Sequence, residues 1–218
     1  MERKKISQAV ISRLPRYYRY LSDLMNRGVE RISSNELSEL MHTTASSIRQ
    51  DLNHFGGFGQ QGYGYNVSYL RNEISKILGL EIKHTMIMIG VGNLGQAIAN
   101  FKGFDSEVFE VIGLFDISMH IIGKVVSGIT VQHISKLEDF MKDHHIDVAI
   151  IATPKSANGI VAEYLRRCNI KAVWNLSNAE IDVDKDVIVE NVHLPDSLMR
   201  LSYRMTAIET MLPQSHRL

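Results

Sequence analysis

Apolar positions change their spacing once along this chain, and the change divides it in two. From 11 to 25, Leu14, Tyr17, Tyr18, Leu21, Leu24 and Met25 recur close to every 3.6 residues, which predicts a helix. Ser33 and Glu36 stand at capping-box spacing, with the hydroxyl accepting from an early helix N–H and the carboxylate reaching back to the cap. A short helix should follow, turning Leu37, Leu40 and Met41 inward. After His42 and Thr43 a second helix is expected over 44–55, burying Ala45, Ile48, Leu52 and Phe55. Two short helices with a tight join are the helix-turn-helix pattern. Gly56, Gly57, Gly59, Gly62 and Gly64 then alternate with aromatic and amide residues, as in a hairpin with a glycine-rich tip. Such a hairpin after a helix-turn-helix is a wing, so 1–75 reads as a winged-helix domain, with a linker helix over 72–80.

Beyond it, strand-like runs alternate with helical ones. Strands are expected at 86–90, 111–116, near 130–131, at 148–152, at 172–175 and at 187–192, and helices over 93–102, 135–143 and 156–167. That alternation means a mostly parallel sheet in an α/β domain, 76–194. Pro195 should end the strand region. A last helix over 196–211 carries Leu198, Leu201, Met205, Ile208 and Leu212 on one stripe, with no later element for the stripe to close onto, so 195–218 reads as a separate segment.

Composition adds little until charge is counted by segment. The 218 residues carry no net charge, yet residues 1–71 hold ten Lys/Arg against six Asp/Glu, leaving fourteen against eighteen for the rest. A basic first domain makes nucleic acid a candidate partner. No apolar run is long enough for a membrane span, and the start lacks a signal-peptide pattern, so a cytoplasmic protein is expected. Cys168, the single cysteine, can form neither an internal disulfide nor a thiolate cluster, and His144-His145 at a helix end reads as solvent-facing rather than as a metal pair.

Two stretches carry chemistry. In the first, the strand at 86–90 runs through Gly90, Gly92 and Gly95 straight into a helix, and Asp116 closes the next strand about 20 residues on. Gly90 permits the tight turn, Gly92 lets the backbone approach a pyrophosphate, and Gly95 allows close packing of helix on strand. The free N–H groups around Asn93 and Leu94 then face an anion. This is the fingerprint of a Rossmann-like dinucleotide site; the alternative is that the glycines serve packing alone. In the second stretch, the helix after Thr44 is small and polar at its start, with Ser46 and Ser47, and turns Arg49, Gln50 and Asn53 outward. Those residue types suit a recognition helix in a major groove. Arg13, Arg16 and Arg19, spaced by three, share one edge of the first helix, and the alternative for such a row is a merely solvated face; the first two are candidates for DNA contact, as are Gln60, Gln61 and Tyr63 in the wing. A plain helical hairpin is the alternative.

The run Arg13-Leu-Pro-Arg-Tyr-Tyr-Arg-Tyr-Leu21, the segment Ile48-Arg-Gln-Asp-Leu52 with Phe55-Gly56, the wing Gly62-Tyr-Gly-Tyr-Asn-Val67 and the fingerprint Gly90-Val-Gly-Asn-Leu-Gly95 together closely resemble the Rex family of redox-sensing transcriptional repressors. The resemblance covers nearly the whole chain in the same order. It implies a homodimer whose winged helices bind a palindromic operator, an inverted repeat in double-stranded DNA, and whose Rossmann-like domains take NAD(H), with NADH causing release. It also implies that the C-terminal helix is exchanged between subunits.

Several positions depart from the family's pattern. A basic pair in its wing is Gln60 and Gln61 here, and Gln50 stands where a basic residue is usual, so a weaker salt dependence is expected. The resemblance implies a switch made of a tyrosine, an aspartate and Arg13; the first two are Phe101 and His193 here, without the hydroxyl and the carboxylate. Asn175-Leu-Ser-Asn178 replaces the turn by the nicotinamide, and 117–122 lacks a lysine or arginine. A regulator that no longer answers to NAD(H) is therefore one alternative. A small NAD-dependent oxidoreductase is another, although no histidine recurs with a Lys, Tyr or Glu at catalytic spacing and no substrate domain is left over.

Overall fold

The first helix shows how one residue resets a boundary. Pro15 has no N–H to donate and its ring crowds the carbonyl four residues back, so the helix expected over 11–25 is broken before it. The computed structural model has instead α1 (Gln8–Ile11) and α2 (Leu14–Asn26), with Pro15 in the first turn of α2. The structure describes residues 6–53, 59–60, 63–101 and 108–211, with backbone alone for 59–60 and 208–211. The chain divides after Ile82 into two units.

In the first unit α2 buries Leu14, Tyr17, Leu21 and Leu24. After β1 (Arg31–Ile32) comes α3 (Ser34–Leu40), which opens with the expected capping box: Ser33 N–H donates to Glu36 Oε2 at 2.7 Å, and Glu36 N–H to Ser33 Oγ at 3.2 Å. Those bonds hold the Glu36 carboxyl below its ordinary pKa. The tight join is made without glycine. His42 takes a left-handed φ of 47°, and Thr43 N–H reaches back to Ser38 O at 3.0 Å. In α4 (Ala45–Asn53), Ile48 and Leu52 are buried as expected, Ala45 is half-buried, and Phe55 lies outside the described residues. The hairpin β2 (Gly59–Gln60) and β3 (Gly64–Asn66) joins β1 in a three-stranded antiparallel sheet ordered β1-β3-β2. Gly64 is required there: at φ 70° a Cβ would sit 2.6 Å from Ile32 O.

The next element differs from the sequence expectation. α5 (Val67–Leu78) begins at the wing's foot, where the Asn66 side chain accepts from Tyr69 N–H at 2.8 Å, and ends at Gly79 in the left-handed region. It is no linker. Val67, Leu70 and Ile74 enter one core with Leu14, Tyr17, Leu21, Ile48 and Leu52, and the boundary expected after 75 falls inside this helix.

The second unit contains β4 (His84–Ile89), α6 (Asn93–Ala99), β5 (Phe109–Asp116), β6 (Val125–Val126), β7 (Ile129–His133), α7 (Leu137–Asp143), β8 (Val148–Ile151), α8 (Asn158–Arg167), β9 (Ala172–Asn175), β10 (Ile188–Asn191) and α9 (Leu194–Met211). The sheet runs β10-β9-β8-β4-β5-β7-β6, parallel throughout except for β6. Leaving out β6, which the sequence did not announce, this is the 3-2-1-4-5-6 order of dinucleotide-binding sheets. Along β4 the side chains alternate between two cores: Ile87 and Ile89 pack with Leu137 and Val161 of α7 and α8, and Met86 and Met88 with Leu114 and Ile150 on the other face. Burial on both faces explains why β4 reads as an unbroken apolar run.

Two differences mark the last helix. It begins at Leu194, with Pro195 in its first turn rather than ending the strand region, because a proline there forfeits an N–H that has no intrahelical partner anyway. Of the expected stripe, Leu198, Leu201 and Met205 are all more than half exposed; the side chain of Ile208 and the whole of Leu212 lie outside the described residues.

Candidate functional site

The C-terminal ends of β4, β5 and β8 surround a cleft at the point where strand order reverses, between β4 and β8. Three glycines shape its floor in three different ways. Gly90 has φ 94°, and a Cβ on it would meet the Ala152 carbonyl at 2.7 Å. A Cβ on Gly95 would lie 2.1 Å from Gly90 O, so α6 can approach the strand only because Gly95 has none. Around Gly92 a Cβ would meet nothing within 4 Å: that glycine borders open space. Gly92 caps α6, and the N–H groups of Asn93, Leu94 and Gly95 precede the first intrahelical donor, Gln96 N–H to Gly92 O at 2.9 Å. Such N–H groups at a helix start suit an anion.

Asp116 closes the neighbouring strand and is held by the backbone. Val91 N–H donates to Oδ2 at 2.7 Å and Ser118 N–H to Oδ1 at 2.8 Å, which leaves each oxygen a further lone pair for a ligand hydroxyl. The carboxylate stands at the edge of a cavity of about 480 Å³. Its lining is mainly apolar, with Ile117, Ile121, Ile160 and Pro154, and it includes Gly90 and Gly92. His120 and Lys124 also line it. The short loop after Asp116 lacks a cation, as the sequence suggested, but Lys124 just beyond that loop supplies one.

A second cavity of about 440 Å³ shares Ala152, Thr153 and Pro154 with the first and is also lined by Leu94, Ser177, Asn178 and Leu194. Its wall is the Asn175–Asn178 turn, fixed from within by a buried polar network. Asn175 Nδ2 donates to Asn191 Oδ1 at 2.7 Å and to Ala179 O at 2.9 Å, and Ser177 Oγ donates to Asn175 Oδ1 at 2.7 Å. Asn158 at the start of α8 reaches Ser177 Oγ at 3.3 Å. Only the turn was singled out in the sequence; Asn158, nineteen residues away, carried no signal there. Phe101, just past α6, is exposed, and His193 is half-buried with its carbonyl accepting Asp196 N–H at the start of α9. Among the described residues no group of three or more His, Cys, Asp or Glu side chains could hold a metal ion, and no helix is long and apolar enough to cross a membrane.

On the winged helix, α4 presents Ser46, Arg49, Gln50 and Asn53 to solvent, with Ser47 half-buried. Thr44 Oγ1 accepts from Ser47 N–H at 3.1 Å and caps the helix. Arg49 Nη1 donates to Ser34 Oγ at 2.8 Å, which leans it across the start of α3. In the wing Tyr63 is exposed, Gln60 is placed by backbone pairing with Gly64, and Gln61 lies outside the described residues. Arg31, missed in the sequence, donates to Tyr63 O at 3.3 Å and ties β1 to the wing.

Arg13 and Arg16 stand apart from this surface set because they spend donors inside the domain. Arg13 Nε and Nη2 grip Asp51 at 2.7 and 2.6 Å, and Arg16 Nη2 donates to Met41 O at 2.6 Å. Asp51 is the missed residue: an aspartate on the inner face of a short polar helix looks like any other surface acid, yet it is 2% exposed and also accepts from Tyr17 Oη at 2.9 Å. Burial, then the bond to Asp51, pushes the Tyr17 phenol well above its ordinary pKa.

Known proteins combine the same two parts. The family model described as "Putative DNA-binding protein N-terminus" matches residues 5–53, and the one described as "CoA binding domain" matches residues 81–179. The redox-sensing transcriptional repressor Rex of Caldicellulosiruptor bescii is 51% identical over 94% of this chain and 94% of its own. That of Clostridioides difficile is 52% identical over 93% of this chain and 96% of its own. Among solved structures, RSP in complex with β-NAD⁺ and operator DNA matches with a TM-score of 0.86 and 50% identity over 95% of each chain. RSP in complex with β-NADH matches at 0.85 and 48%, over 95% of this chain and 97% of that one. Matched at about half identity along more than nine-tenths of its length, the chain belongs to the Rex family of redox-sensing transcriptional repressors.

Proposed function

We propose that this protein is a sequence-specific transcriptional repressor that binds operator DNA through its winged helix and NAD(H) in the cleft between β4 and β8. The observation that carries the reading is the division of labour among Gly90, Gly92 and Gly95. Two of them are closed by packing, and the third borders open space beside helix N–H groups that precede the first intrahelical donor, as a pyrophosphate site requires. Asp116 would accept from an adenosine ribose hydroxyl, and the apolar cavity beside it suits an adenine ring. The nicotinamide end would face the Asn175–Asn178 turn. On DNA, Ser46, Ser47, Arg49, Gln50 and Asn53 would enter the major groove while Tyr63 and the wing residues Gln60 and Gln61 lie along the backbone. RSP has been crystallised with β-NAD⁺ and operator DNA together, and separately with β-NADH, which supports both ligands here. The exposed apolar stripe of α9 supports a homodimer, since Leu198, Leu201 and Met205 need a partner surface. A repressor of this kind works in the cytoplasm, and the relatives being repressors sets the oxidoreductase alternative aside.

A second reading keeps DNA and nucleotide binding but uncouples them. Phe101 and His193 favour it, having neither a hydroxyl nor a carboxylate to offer Arg13, whose own fork is already taken by Asp51. Fluorescence anisotropy of the operator duplex of the RSP complex, titrated with NADH and then NAD⁺, separates the two: release by NADH supports coupling, and binding indifferent to both supports the second reading.

A further inference from the structure

We propose that Arg13 and Asp51 form a clamp that fixes the rotation of the recognition helix, so that Arg13 serves operator discrimination by positioning α4 rather than by touching phosphate. The inference rests on the DNA-binding reading of α4 given above.

Three observations carry it. Asp51 projects from α4 toward α2, and its two oxygens take the Arg13 fork at 2.7 and 2.6 Å and the Tyr17 hydroxyl at 2.9 Å. A bidentate fork fixes direction as well as distance, since both N–H groups must lie in the plane of the carboxylate. A helix turns about 100° per residue, so a group held on the inner face dictates where the outward residues point. Here those are Arg49, Gln50 and Asn53, all exposed and within two residues of Asp51. Three positions further along α2, Arg16 holds Met41 O at 2.6 Å, at the end of α3 where the tight join begins. One edge of α2 thus grips both helices of the helix-turn-helix.

Base contacts tolerate little misdirection, whereas phosphate attraction tolerates much. The clamp therefore governs the ratio of operator to non-specific affinity. Arg13→Lys discriminates between the two roles because it keeps the positive charge and loses the planar fork. Asp51→Asn tests the same bond from the buried side without altering any DNA-facing cation. Binding of both variants and of the unaltered protein to the RSP operator duplex and to a scrambled duplex is measured across a salt series, at a temperature where circular dichroism shows each to be folded. The clamp predicts that both variants lose about tenfold or more of the operator-over-scrambled preference. Affinity for the scrambled duplex and the slope of log affinity against log salt should stay as in the unaltered protein. An Arg13→Lys variant with full preference overturns the proposal, and should Asp51→Asn not fold, that variant alone decides. An Arg13→Met variant, measured in the same salt series, overturns it too if its slope falls by about 0.9, the signature of one lost phosphate contact. If the unaltered protein itself shows no preference, the DNA-binding reading fails and the clamp fails with it.

Discussion

Replacing either Gly92, the cap of α6, or Gly95, in its first turn, by alanine adds one methyl group, yet the two changes should do opposite things. On Gly95 the new Cβ would stand 2.1 Å from the Gly90 carbonyl oxygen, where ordinary contact begins at 3.4 Å. Neither atom sits on a flexible side chain, so α6 must lift from β4. Overpacking of this kind costs about 1–3 kcal/mol. For a chain of this size that lowers the melting temperature by roughly 2–12 °C. On Gly92 the Cβ meets nothing, and its φ of −69° is open to any residue. Gly92→Ala should melt at or slightly above the parent, since restricting the unfolded chain contributes about 0.4–1 kcal/mol. In the proposed cleft its methyl group would project where a pyrophosphate approaches the helix N–H groups. NADH affinity should fall about tenfold or more, some 1.4 kcal/mol. Thermal melts followed by circular dichroism and NADH titrations followed by fluorescence report the two effects separately. A Gly92→Ala variant that binds NADH like the parent would refute the cleft assignment, and a Gly95→Ala variant with the parent's melting temperature would refute the packing argument.

Other expectations are simpler to state. Burial tends to raise the Asp147 carboxyl, but bonds from Thr85 N–H and His145 and the charges of His145 and His84 outweigh it and hold the pKa low. A depressed folded-state pKa stabilises above the unfolded value and is lost as pH falls through the folded one, so urea melts of Asp147→Asn and the parent should differ at pH 7 and converge toward pH 3; a constant gap would contradict this. Burial raises the Cys168 thiol to about 11, so iodoacetamide at neutral pH should label it slowly in the native protein and quickly in denaturant; equal rates would contradict it. Leu201→Glu places a charge on the exposed stripe of α9 and should shift the protein to monomer in sedimentation, whereas an unchanged mass would remove α9 from the proposed dimer contact.

What the sequence made legible was periodic or local. The strand at β4, the capping box at Ser33 and Glu36 and the spacing from Gly90 to Asp116 each express a backbone requirement that few residue types meet. The parallel sheet followed from the alternation of strands with helices, but the order of its strands did not. Less visible were features set by partners far away in sequence. α5 looked like a linker because Val67, Leu70 and Ile74 find their core only once α2 is packed against them. Asp51 looked like a surface acid because its partners lie 38 and 34 residues back. The join at His42 lacks the glycine that usually marks a left-handed turn, and Lys124 lines the cavity from beyond a loop that has no lysine or arginine of its own.

The most direct test is operator binding by the purified protein, followed by anisotropy at one salt concentration, with the RSP operator and a scrambled duplex, in NAD⁺ and in NADH. The protein should prefer the operator, retaining that preference in NAD⁺ and binding it more weakly in NADH. Equal affinity for the two duplexes would contradict the assignment of α4 and the wing to DNA recognition; operator binding that ignores both nucleotides would contradict the coupling between the cleft and DNA.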